Sequence, residues 1–247
     1  MSRNFEILHR GLEQPDALRV RRVSHFEEAK KARTHNGHHT VDDEIARLVQ
    51  RLFVCASTAN PPSCVAFCGV DPGAGCTWVC ARASEALAGL VPGRVCVVDA
   101  NFRSPNLHDH FRAEPGPGFM EAMRDSTPIN DFVRATWSSH IWLMTSGAAG
   151  AAPNGSLSPD RIHLRLSELR AEFDYVLLDT PPMSSSPDAT LFARFTDGVV
   201  LVVESNSTHR ASARAVKESL ETAHVPILGA VLNRRTYPIP EALYRRI

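Results

Sequence analysis

Hydrophobic residues along this chain fall into two alternating patterns. Short, almost wholly apolar runs occur at 64–68, 94–99, 140–144, 176–178, 199–203 and 226–232. Unbroken apolar runs of this length fit strands buried on both faces. Between them lie segments with apolar residues every three to four positions. The first spans 42–55, with Val41, Ile45, Leu48, Val49 and Leu52 on one side and Asp42 and Asp43 at the end where acidic residues favour a helix start. Further helices are expected at 77–90, 119–123, around 129–133, at 160–171 (Ile162, Leu166 and Leu169 on one face) and at 210–223. Pro61-Pro62 and Pro92-Gly93 punctuate the pattern, and 146–159, rich in Gly, Ala, Ser and Pro, reads as a long loop. Strands alternating with helices predict an α/β fold, a doubly wound and mainly parallel sheet. Residues 1–40 carry little periodic apolar content and read as a flexible N-terminal arm with at most short helical pieces, leaving 41–247 as the folded domain.

Three places join this pattern to chemistry. After the 64–68 run comes Gly69-Val-Asp-Pro-Gly-Ala-Gly-Cys-Thr-Trp78, directly before an Ala-rich helix. Strand, glycine loop and helix form a cradle in which backbone N–H groups and the helix N-terminus face phosphate oxygens. Gly73 and Gly75 let the chain curl without a Cβ clash, and Thr77 stands where a loop hydroxyl would reach Mg²⁺. The second run ends on Asp99, followed by Asn101 and Arg103; a helix-capping Asp is the plainer reading. The fourth run delivers Asp179, before Thr180-Pro-Pro182, as the carboxylate that would order Mg²⁺ and its water shell.

Composition narrows the class. Lys+Arg and Asp+Glu are both 27, so net charge gives no case for a nucleic acid partner or an anionic membrane surface. No apolar run approaches a bilayer span, and the first residues lack a signal-peptide core. Six cysteines sit mostly inside apolar runs, as reduced thiols of a cytoplasmic core would. His35, His38 and His39 lack partners at ligand spacing and read as a solvated tail.

The motifs, taken in order, resemble the bacterial tyrosine kinases of exopolysaccharide and capsule production, within the wider deviant-Walker P-loop group of division-site and partition ATPases. Val70 to Thr77 occupies the place of the first Walker motif, Val95 to His108 that of the second, and Val176 to Pro182 that of Walker B. The resemblance implies a P-loop NTPase fold, ATP and Mg²⁺ as cofactors, and a site built of Gly73, Ala74, Gly75, Cys76, Thr77 and Trp78. It further implies Asp99 and Asp179 for the metal, Arg103 as a cation for transfer, and Asn233 beside the adenine. Tyr237 and Tyr244 become the candidate phosphoacceptors. The implied partner is a membrane polysaccharide co-polymerase, or chain-length determinant protein, with a homo-oligomer as a second association and a cytoplasmic location peripheral to the inner membrane.

The chain departs from that pattern in three ways. Cys76 stands where the phosphate-binding lysine belongs, Asn101 replaces a second acidic residue, and Gln50 occupies the last arginine position of an assembly helix. A thiol cannot supply an ammonium charge to a γ-phosphate. The loss of one preorganised charge stabiliser, ~3–4 kcal/mol, corresponds to roughly 10²–10³ in rate. Nucleotide binding with weak or lost kinase activity is therefore expected. A non-catalytic regulatory scaffold and a partition-type ATPase are the alternatives. Cys76, at a helix N-terminus, could also carry a lowered pKa and act as a redox gate, although simple loss of the lysine is the plainer account.

Overall fold

The computed structural model describes residues 4–8 (backbone only), 41–55, 61–148 and 157–235. Its core is an eight-stranded sheet in the order β1-β8-β7-β2-β6-β3-β5-β4. The strands are β1 (Asn4–Leu8), β2 (Cys64–Gly69), β3 (Val95–Asp99), β4 (Arg134–Ala135), β5 (Ile141–Met144), β6 (Tyr175–Thr180), β7 (Gly198–Glu204) and β8 (Ile227–Arg235). The six inner strands, β8 through β5, run parallel, while β1 and β4 pair antiparallel at the two edges.

Each apolar run predicted as a strand is one of the parallel six. The burial of β2 explains why its sequence is apolar throughout. Cys64, Ala66 and Cys68 face one layer and Val65 and Phe67 the other, all with no exposed surface. One layer holds α1 (Val41–Val49), α2 (Cys76–Leu90) and α3 (Leu107–His110); Leu48, Val79 and Leu107 pack there. The other holds α4 (Phe119–Arg124), α5 (Pro159–Glu172), α6 (Pro187–Ala193) and α7 (Arg210–Thr222), with Phe119, Leu166, Phe192 and Val216 in its core. The sheet therefore has a two-sided core, as parallel sheets require.

Several elements differ from expectation. The helix expected at 42–55 is α-helical only to Val49 and continues as a π turn, Gln50–Val54. The 129–133 segment is a 3₁₀ turn, Ile129–Phe132. β1, β4, α3 and α6 carried no usable periodicity, being two to seven residues long. Within the expected arm, Asn4–Leu8 adds to the sheet beside β8, a pairing made between backbones and so silent in side-chain pattern. Residues 9–40, the histidines at 35, 38 and 39 among them, lie outside the described residues, as do Tyr237 and Tyr244.

The topology creates the crevice. From β2 the chain passes over β6 to reach β3, and later passes from β6 over β2 to reach β7. Connections leave this middle region in opposite directions at the carboxyl ends of the strands, where open α/β sheets bind ligands.

Candidate functional site

The loop between β2 and α2 lies over that crevice. Gly73 and Gly75 hold φ of 85° and 82°, a left-handed conformation that a side chain would resist. Gly75 is the residue before α2, and no side chain caps the helix there. A helix start without a side-chain cap, following a glycine loop, is the arrangement suited to phosphate.

A brace from the far end of the chain holds this loop. The Asn233 side-chain amide, on β8, donates to the Ala74 carbonyl at 2.7 Å, and Asn233 is almost fully buried. A Cβ at position 75 would overlap Asn233 Nδ2, so the glycine serves both the backbone angle and the close approach of this amide. The segment after β6 ties down the start of the same loop: Met183 N donates to the Gly69 carbonyl at 2.9 Å and Ser184 N to that of Val70 at 3.1 Å. Sequence reasoning missed this second anchor, whose only trace was Pro181-Pro182 turning the chain.

Beneath the loop, Asp99 and Asp179 occupy paired positions at the ends of neighbouring strands β3 and β6. The Ala100 N–H donates to the Asp179 carbonyl at 2.8 Å, and both aspartates are fully buried. Asp99 accepts from the backbone N–H of Asn101 at 3.1 Å and of Leu107 at 3.2 Å, so it caps α3, as the plainer reading held, while facing the site. Burial and then the charge of Asp179 push its pKa to about 8. Asp179 is pushed to about 7 by burial, offset in part by the Thr77 hydroxyl and the Cys76 thiol. Those two groups face the carboxylate without completing a hydrogen bond of normal geometry, and neither Asp179 oxygen has a hydrogen-bond partner.

Two orphaned, buried carboxylate oxygens in a native site call for an explanation, and a cation is the economical one. Beside the protonated Cys76 thiol, the Thr77 hydroxyl and the two carboxylates offer oxygen donors, the kind a hard ion such as Mg²⁺ prefers. The residues present therefore fit Mg²⁺, which would be held by Thr77, Asp99 and Asp179 and would neutralise phosphate charge there. Among the described residues, no group of three His, Cys, Asp or Glu side chains is placed to hold a metal, so a purely protein-made cage has no support.

Cys76 behaves differently from a reactive thiol at a helix start. Burial, and after it the negative charge of Asp179, raises its pKa well above the ordinary value. The redox-gate reading is corrected here: desolvation and the carboxylate outweigh the helix N-terminus. Cys80, one turn on, is buried and shifted upward for the same reasons. Among the other site candidates, Trp78 is half-buried and packs against the α2-side core. Arg103 is exposed and makes no hydrogen bond or ion pair among the described residues, so this structure does not bring it to the carboxylates.

The family model described as "Cellulose biosynthesis protein BcsQ" matches residues 63–226, the span holding every element of this site except Asn233. The chain is 31% identical over 140 residues to the tyrosine-protein kinase YwqD of Bacillus subtilis, a match covering 57% of this chain and 59% of that protein. It thus spans about 60% of the length of the first curated relatives it matches. Its fold superimposes on the kinase domain of the Escherichia coli tyrosine kinase ETK with a TM-score of 0.69 and 22% identity, covering 86% of this chain and 89% of that one. It also superimposes on the cell division ATPase MinD of Pyrococcus furiosus, with a TM-score of 0.60 and 19% identity over 68% and 70% of the two chains. The expected fold, a doubly wound and mainly parallel α/β sheet, is the one observed, and it is the fold shared with these two structures.

Proposed function

The chain belongs to the family described as cellulose biosynthesis protein BcsQ, and from that premise we propose that it binds Mg·ATP and serves exopolysaccharide or capsule production as a nucleotide-responsive protein with weak or lost tyrosine kinase activity. One observation carries the binding half of this reading: the orphaned, buried Asp179 carboxylate under a glycine loop whose helix has no side-chain cap. The kinase name of the similar B. subtilis protein and the ATPase name of the superimposable MinD supply the nucleotide class and the chemistry.

Cys76 carries the second half. A half-buried thiol in the lysine's place, held neutral by a raised pKa, leaves the transferring phosphoryl group without its nearest cation. Binding suffers less than transfer, because backbone N–H groups, the helix terminus and Mg²⁺ remain. A second reading, favoured by the same residue, is a non-catalytic partner of a membrane polysaccharide co-polymerase whose docking state follows nucleotide occupancy. In either reading the protein works on the cytoplasmic side, at the membrane only through that partner. No helix among the described residues is long and apolar enough to cross a bilayer.

The test is calorimetry of Mg·ATP binding to the purified protein, with Asp179→Asn as control and thermal melting to check folding. Binding that the variant loses supports a nucleotide switch. No heat with wild type at about 1 mM ATP, where even a 4 kcal/mol interaction would register, overturns the reading.

A further inference from the structure

Outside the nucleotide crevice, a cavity of about 620 Å³ opens between α2, the segment after α3 and the β4–β5 hairpin. Its volume lies in the range of small-molecule sites. The floor is apolar, with the buried Phe111 and Leu143. The walls are not. Arg82, Arg112, Arg134 and His110 line it against one carboxylate, Glu85. That carboxylate is engaged already: Arg82 pairs with it and with Asp42, and His110 Nε2 sits 3.2 Å from it.

Among the described residues, no carboxylate pairs with Arg112 or Arg134. Arg134 donates to a neutral acceptor, the Glu114 carbonyl, at 2.9 Å, and a Cβ at Gly116 would displace its guanidinium. Arg112 holds a left-handed φ of 53° at the cavity rim, and among the described residues its side chain has no carboxylate partner. Strained backbone at a non-glycine residue persists where something else is gained from it. Beside them stands Trp137, 69% exposed, the most exposed large apolar side chain among the described residues. A bare indole in a cavity wall offers a face for stacking a ring, and guanidinium groups offer forked donors to phosphate or carboxylate.

We propose that this cavity binds an organic anion carried on a ring, of mononucleotide or acidic-disaccharide size, with the ring against Trp137 and the phosphate or carboxylate on Arg112 and Arg134. The chain's own C-terminal stretch suits it poorly, because Arg234, Arg235, Arg245 and Arg246 make that stretch basic. The site is separate from the P-loop and does not depend on the nucleotide reading above. It is linked to it through structure: α2 starts at the P-loop, and Asp99 accepts from Leu107 at the start of α3, next to the cavity wall.

The experiment is calorimetric titration of the full chain with two probes, uridine diphosphate and digalacturonate, with a neutral disaccharide and inorganic phosphate as controls. Each is repeated on Arg112→Gln, Trp137→Ala and Asp179→Asn. Expected is a dissociation constant below about 1 mM for at least one probe. It should weaken about tenfold in Arg112→Gln and in Trp137→Ala, and stay unchanged in Asp179→Asn. Binding of uridine diphosphate alone identifies the source as a nucleotide, and of digalacturonate alone as an acidic sugar. Retained response to both with phosphate equally good, loss in Asp179→Asn, or no binding of either probe overturns the proposal. Failure of ATP binding at the P-loop leaves it standing.

Discussion

Asp99 and Asp179 stand paired at the carboxyl ends of adjacent parallel strands, both without exposed surface, with Cys76 rather than a lysine beside Asp179. Their pKa values, about 8 and about 7, are raised by burial, so the fold favours the protonated forms. An unfolded Asp loses its proton near pH 4. The stability from holding these protons is full below that value and disappears as pH rises through about 7 to 8. Each proton contributes a slope of up to about 1.4 kcal/mol per pH unit. The metal-free protein should melt at a higher temperature at pH 5.5 than at pH 8.5. Asp179→Asn should flatten that dependence, and added Mg²⁺ should stabilise most at the alkaline end. A melting temperature that rises with pH in wild type would contradict the assignment. Asp197 and Glu85, whose pKa values are lowered, act only below the ordinary carboxylate range and do not confuse the window.

The brace on the phosphate loop predicts a non-additive pair. Gly75→Ala forces a Cβ into Asn233 and into a backbone angle alanine resists, so it should cost about 2 kcal/mol. Asn233→Ala loses a buried hydrogen bond and should cost about 1–2 kcal/mol. Because the alanine at 233 makes room for the new methyl, the double variant should be less destabilised than the sum, by about 1 kcal/mol in chemical denaturation. Strict additivity would mean that the two residues do not meet.

Cys76→Lys restores a cation where transfer chemistry needs one. Under saturating Mg·ATP its turnover should rise roughly 10²–10³ over wild type, measured as phosphate release. An unchanged rate would shift the blame from Cys76 to Asn101 or to the exposed Arg103.

The raised pKa of Cys76 makes it a poor nucleophile near neutrality. Iodoacetamide at pH 7.5 should label the exposed Cys55 well before Cys76, as read by peptide mass spectrometry. Preferential labelling of Cys76 would revive the redox gate.

Arg165 is the largest fully buried side chain among the described residues. It donates to the carbonyls of Ala122 and Thr127 at 2.8 and 3.1 Å, bonds that of Asp125, and pairs with Glu168 at 2.5 Å. Arg165→Met should lower stability by about 3 kcal/mol, since several buried acceptors lose their donor at once. Thermal melting reads this, and nucleotide affinity should hardly change.

How much of this was legible beforehand depends on the distance over which each feature is decided. Strands buried on both faces write themselves as unbroken apolar runs, so Val95–Asp99, Tyr175–Thr180 and Gly198–Glu204 were visible to within about two residues. Glycines before an alanine-rich helix announced the tight loop between β2 and α2, because left-handed angles need that residue type. Asp99 and Asp179 were found because a carboxylate ending an apolar strand stands out locally. Three matters were decided only in three dimensions. Cys76 gains or loses reactivity according to burial and a charge 103 positions away in sequence. Asn233 reaches across 159 positions to the Ala74 carbonyl, a bond with no local trace. The arginine and tryptophan cavity draws on α2, α3 and the β4–β5 hairpin, elements with nothing in common until the sheet stacks them. Local sequence sets backbone preference and hydrophobic period; desolvation, charge and shape are sums over neighbours that only folding brings together.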